Sequence, residues 1–171
     1  MSNPQVELHI QDHGVVTLEL DAEKAPKTVA NFLKYVDERL YEGGRFHRTV
    51  TPKNQPDNKF KIEVIQAGIN SDKKELSPIK LERTRDTGIL HKDGTISMAR
   101  DGPDTATGDF FICIGDQPEL DFSGKRNPDG QGFAAFGKVV KGMDVVKKIQ
   151  VSKVDGQTLK PAIAIKSIAR K

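Results

Sequence analysis

"DFFICIG", from Asp109 to Gly115, is an apolar run bounded by an acidic residue and a glycine. Side chains of an extended chain alternate between two faces. Phe110, Ile112 and Ile114 therefore share one face, and Phe111 and Cys113 share the other. Neither face is polar, so an open sheet with one wetted side does not fit. A barrel interior takes only one of the faces. The other must lie beneath a helix or line a groove.

The segments around this run are of the same kind. Upstream, "GTISMAR" (94–100) reads as a strand and "DGPDTATG" (101–108) as a polar loop. Downstream, the long loop "DFSGKRNPDGQG" (121–132) leads into a strand at "FAAFGKVV" (133–140). Near the start, "VELHI" and "VVTLEL" flank the polar turn 11–14, which predicts a hairpin. A helix follows, with Val29, Phe32, Leu33, Val36 and Leu40 on one stripe, Pro26 in its first turn and Gly43-Gly44 as its stop.

"GRFHRTV" (44–50) predicts a strand with Phe46, Arg48 and Val50 on one face and His47 and Thr49 on the other. An arginine on an apolar face is either an edge decoration or a working group. "TPKNQPDN" (51–58) is a loop, and "KIEVIQAG" (61–68) a strand with Ile62, Val64 and Gln66 on one face. Residues 70–93 read as turns. "GMDVVKKIQ" predicts a short amphipathic helix, and "AIAIKSIA" a last strand. Many short strands with only two helices predict a mainly β protein, barrel or sandwich, as a single domain over 1–171.

Composition excludes several classes. With 36% hydrophobic and 30% charged residues, the chain resembles ordinary folded proteins rather than disordered ones. The net charge of +3 is dispersed apart from pairs such as Lys73-Lys74 and Lys147-Lys148, which argues against nucleic-acid binding. His9 and His13 flank turn residues rather than one helical face, so no metal is expected, and nothing calls for a cofactor. The lone Cys113 permits no internal disulfide. No run approaches membrane-spanning length. The expectation is a monomer free of membranes and located in the cytoplasm, or in the periplasm or outside the cell if a signal peptide has been removed.

Taken in order, "APKTVANF" (25–32), "FHR" (46–48), "VIQAG" (64–68), "GTISMA" (94–99), "GPDTATGDFFIC" (102–113) and "FGKVVKGMDVV" (136–146) resemble the cyclophilins, which are peptidyl-prolyl cis-trans isomerases. The resemblance runs from about Val6 to about Ala169. It implies a closed eight-stranded antiparallel β-barrel capped by two α-helices, with a groove for proline-containing polypeptides on the outer wall. It also implies Arg48 and Gln66 as catalytic residues. Val64, Phe111, Leu120 and Phe133 would line the proline pocket, and Ala99 and Arg100 would pair with the substrate backbone. Met98 and Phe110 belong to the core, and His47 to the face opposite Arg48. The alternative is a proline-peptide binding or chaperone module of the same fold with weak catalysis.

The sequence departs from the family pattern at groove positions. Glu119 stands where the family has tryptophan, Phe133 where a histidine is usual, and Glu63 where a phenylalanine is usual. Arg100 and Asp101 replace asparagine and alanine, and Asp109 replaces glutamine. A carboxylate at 63 would orient Arg48, neutralise it, or point into a polar rim. The loops at 51–59 and 121–132 are longer than in compact members.

Overall fold

The computed structural model describes residues 3–171. Strands β1 (Gln5–Ile10) and β2 (Gly14–Leu20) form the expected hairpin, in register from Gln5↔Glu19 to Ile10↔Gly14. Its alternation puts Val6, Leu8, Ile10, Val16, Leu18 and Leu20 into the core.

Helix α1 (Pro26–Asp37) buries Val29, Phe32, Leu33 and Val36. It ends well before Gly43-Gly44. The Glu38 and Arg39 N–H groups close its last turn on the Lys34 and Val36 carbonyls, and Arg39 then turns the chain away at φ 57. Leu40 packs on the same core from beyond the helix, so the apolar stripe outlasts the helical backbone.

The remaining strands are β3 (Arg45–Val50), β4 (Val64–Gly68), β5 (Thr95–Met98), β6 (Phe110–Cys113), β7 (Ala135–Lys141), β8 (Val154–Asp155) and β9 (Thr158–Arg170). Pairing runs β1-β2-β7-β5-β6-β4-β3-β9, and β9 pairs back to β1. The result is a closed antiparallel ring of eight strands, with the two-residue β8 hanging on β9. Closure removes the exposed edges that a mostly β chain must otherwise protect. Helix α1 packs on β9, and α3 (Met143–Gln150) on β2, β3 and β4. One further helical turn, α2 (Thr84–Thr87), lies in the segment read as turns.

Inside the ring, Phe32 meets the rings of Tyr41, Phe110 and Phe136 at centroid distances of 5.4, 5.6 and 5.2 Å. Pairs of this kind add about 0.5–1.5 kcal/mol each beyond simple area burial. Phe110 and Ile112 belong to this interior, while Phe111 and Cys113 join a separate cluster with Val50, Ile62, Val64 and Leu120. The two apolar faces of "FFICI" thus serve two different compartments.

One strand breaks the alternation. The pairing of β3 with both β4 and β9 jumps between Phe46 and Arg48, so His47 is a bulge residue. Phe46 consequently lies in the interior, while Val50 lies in the outer cluster. The expectation that Phe46, Arg48 and Val50 share a face is therefore corrected, and so is the placement of His47 opposite Arg48.

Candidate active site

The outer cluster forms the floor of a cavity of about 280 Å³ lined by Arg48, Val64, Gln66, Phe111, Leu120 and Phe133, among others. Its floor is Phe111, 5% exposed, which β6 presents beside Gln66 of β4 and Ser97 of β5. Phe133 meets Phe111 edge-on at 5.6 Å, and the His91 ring lies parallel to it at 5.9 Å. His91 is itself buried and fixed. Its Nδ1–H donates to the Asp121 carboxylate at 2.7 Å, and its Nε2 bonds with the Ser97 hydroxyl at 2.8 Å. The fixed His91 ring thereby covers one face of Phe111.

Arg48 emerges just after the bulge. Its Nε–H donates to Gln157 Oε1 and its Nη1 to Gln66 Oε1, both at 2.9 Å. The two amides are themselves oriented, because Gln66 Nε2 donates to Asp109 Oδ2 at 3.1 Å and Gln157 Nε2 to the Asn54 carbonyl at 3.1 Å. A carboxylate only accepts, so Asp109 forces the Gln66 carbonyl toward Arg48. His47 Nε2 shares the same Asp109 oxygen at 3.0 Å. Gly68 makes room for this carboxylate, since a Cβ there would collide with Asp109 Oδ1. Burial pushes the Arg48 guanidinium below the usual arginine value, but arginine stays protonated in proteins.

Glu63 does not reach this cavity. It accepts from Gln150 Nε2 at 3.0 Å and lines a different one, so it neither orients nor neutralises Arg48. Arg100 lines the cavity with its side chain. Its side chain, 1% exposed, donates two parallel hydrogen bonds to the Asp129 carboxylate, from Nη1 at 2.9 Å and Nη2 at 3.1 Å, and stacks 4.7 Å over Phe133. It braces the loop and pocket wall. The Ala99 N–H donates to the Asp109 carbonyl at 3.0 Å. The Ala99 carbonyl and Arg100 N–H remain without a partner among the described residues.

Four contributors escaped the sequence reading: Gln157, His91, Arg126 and, as a bonding partner, Asp109. Gln157 and His91 stand in connecting segments with no local pattern to mark them. Arg126, in the 121–132 loop, donates through Nη1 to Gln55 Oε1 at 2.6 Å and to the Phe60 carbonyl at 3.1 Å. This ties the two long loops together as one wall of the cavity. Cys113 pairs across the sheet with Val64, and burial raises its thiol far above the reactive range. Among the described residues there is no cluster able to hold a metal, and no helix is long and apolar enough to cross a membrane.

The wall of the closed β-barrel thus carries a fixed cation beside an apolar pocket, the arrangement of a β-barrel protein with a groove on its outer surface. The family model for cyclophilin type peptidyl-prolyl cis-trans isomerases matches residues 5–170, and the chain belongs to that family. Peptidyl-prolyl cis-trans isomerisation is its activity. It is 41% identical to peptidyl-prolyl cis-trans isomerase A of Dickeya dadantii over 137 residues, which is 80% of this chain and 66% of that protein. It is 38% identical to an isomerase of Streptomyces antibioticus over 138 residues, 80% of this chain and 78% of that one. The crystal structure of a Cryptosporidium parvum cyclophilin type isomerase superposes with a TM-score of 0.79 at 22% identity, covering 99% of this chain and 98% of that one. That protein has also been crystallised in the presence of the dipeptide Ala-Pro.

Proposed function

We propose that Arg48 is the catalytic cation for rotation about X–Pro bonds, with Gln66 holding it in place. Val64, Phe111, Leu120 and Phe133 enclose the prolyl ring, and the Ala99 carbonyl and Arg100 N–H meet the substrate backbone. The observation that carries this reading is how Arg48 is held. Both of its side-chain partners are neutral amide oxygens, which fix its direction without cancelling its charge.

The chemistry requires little more. Amide resonance sets a barrier of about 18–20 kcal/mol to rotation. The cis and trans X–Pro forms lie close in energy. Nothing need be made or broken, only the twisted amide bound more tightly than either planar form. Twisting removes resonance and leaves the prolyl nitrogen pyramidal and basic. A guanidinium N–H already aimed there stabilises that state with no reorganisation. An exchange measurement by NMR on an Ala-Pro peptide, with and without Arg48→Ala, tests the assignment. It also separates an enzyme from a binding or chaperone module, which would bind the peptide without accelerating exchange.

Asp109 supplies a prediction. Asp109→Ala frees the Gln66 amide to turn, and losing one net hydrogen bond of about 0.5–1.5 kcal/mol should lower kcat roughly three- to tenfold. Asp109→Asn keeps an acceptor for Gln66 and should lose less. Planar-peptide affinity, followed by NMR titration, should change less than kcat in both.

Cyclosporin should bind weakly. The family's indole donor is absent, and the Glu119 side chain turns to accept the Lys125 N–H at 3.1 Å. A missing donor costs roughly 1–3 kcal/mol, about one to two decades in affinity. Nanomolar binding in a calorimetric titration would contradict this.

The reading extends to a single domain over 1–171 that acts as a monomer in the cytoplasm, on polypeptides rather than nucleic acid or membranes. Pairing of β1 with β9 joins the two ends of the described chain in one ring, which supports one domain. Cys113 is free and buried, which supports independence from an oxidising compartment.

A further inference from the structure

The cavity wall carries more positive charge than rotation of a neutral peptide requires. Arg48, Arg100 and Arg126 all line it, and among the described residues no aspartate or glutamate does. Arg100 is neutralised by Asp129 at 2.9 Å. The side-chain bonds of Arg48 and Arg126 run only to amide and carbonyl oxygens.

Arg126 is built into place. Gln55, which accepts from it, is 4% exposed and is held by bonds to the Thr51 carbonyl at 2.9 Å and from the Ile62 N–H at 3.1 Å. Nη1 spends its hydrogens on Gln55 and Phe60, leaving the Nε–H and the Nη2 hydrogens without partners among the described residues. Burial and the neighbouring Arg48 charge both lower the proton affinity of Arg126, the mark of a like-charge pair without a counterion.

Neither Arg48 nor Arg126 forms a salt bridge with a carboxylate among the described residues. Glu63 bonds to Gln150, Glu119 to the Lys125 N–H, and Asp129 to Arg100. Asp109 reaches Arg48 only through Gln66. A half-desolvated cation with open donors at the rim of a peptide groove is completed by an anion that the peptide brings.

We infer that the groove selects prolyl segments with an aspartate or glutamate immediately beside the proline, the carboxylate being taken by Arg126 while Arg48 remains for the prolyl nitrogen. This rests on the assignment of the prolyl pocket above. The partner is thus an acidic, proline-containing polypeptide segment, and lysine in the same place is disfavoured.

The test is NMR exchange on blocked pentapeptides with Glu, Gln or Lys directly after or directly before the proline. In at least one of the two positions the unmodified protein should turn over the Glu peptide about two- to fivefold faster in kcat/KM than the Gln peptide, and the Lys peptide slowest. Raising salt from about 0.05 to 0.5 M should bring the Glu/Gln ratio toward one, since a rim charge is screened. Arg126→Gln should collapse the ratio, and Arg126→Lys should keep part of it. The salt series needs no variant, so it stands even if Arg126→Gln loosens the loop. A ratio of one in the unmodified protein at low salt, or an undiminished ratio in a folded Arg126→Gln, overturns the charge preference while leaving the prolyl pocket intact. Failure to turn over even the Gln peptides overturns the pocket assignment and this inference with it.

Discussion

Arg48→Ala should lower kcat by roughly 10²–10³, about 3–4 kcal/mol of transition-state stabilisation, by analogy with removing one preorganised oxyanion donor. Binding of planar peptide should weaken far less, because the contact forms fully only as the amide twists. The fold should survive. Arg48 is half-buried on the outer wall, and the Gln66 and Gln157 carbonyls it leaves are within reach of water. Arg48→Lys should be nearly as poor. An ammonium is a point charge and cannot keep the two glutamine contacts while pointing a donor at the substrate. Retention of more than half the activity by Arg48→Ala, with an unchanged melting temperature, would make this arginine ordinary surface.

Phe111→Ala should show the opposite pattern. Phe111 provides the pocket floor, so its loss should weaken peptide binding by about 1.5–3 kcal/mol and raise KM more than it lowers kcat. It should also reduce stability, unlike Arg48→Ala. The ring is 5% exposed and packed between His91 and Phe133. Truncating a buried phenylalanine costs about 3–5 kcal/mol, and a site bordering an open groove belongs at or below the low end. Peptide titration and thermal melts, run together, separate the two effects. Unchanged affinity in a folded Phe111→Ala would place the prolyl ring elsewhere.

The two variants differ because their residues lie on opposite terms of the same argument. On the proposed assignment Phe111 holds substrate and transition state alike, so its loss falls on binding. Arg48 is held by neutral groups, and its proposed role is to meet a charge distribution that exists only in the twisted amide.

Much of this was legible in the chain itself, for a physical reason. Strand alternation and helical stripes are local. The double-sided "FFICI" therefore announced both a closed interior and an outer apolar surface, and Val29, Phe32, Leu33 and Val36 announced a buried helix face. The order of motifs from "APKTVANF" to "FGKVVKGMDVV" carried the family, and the family model matches residues 5–170. Local pattern failed where backbone geometry depends on a distant partner. The bulge at His47 exists because two strands pair with β3 in shifted register, and it alone sends Phe46 inward while bringing His47 to the side of Asp109.

What remained for the tertiary structure was the set of contacts between residues far apart in sequence. Arg48 meets Gln157, Arg126 meets Gln55, and Glu63 turns to Gln150 instead of to the arginine. Each of these is a polar side chain in or beside a loop, where no periodicity reports direction. A period tells which face a side chain shares with its neighbours along the chain. Only the closed ring tells which distant group stands opposite it, and so whether a charge is neutralised, oriented or left open for a ligand.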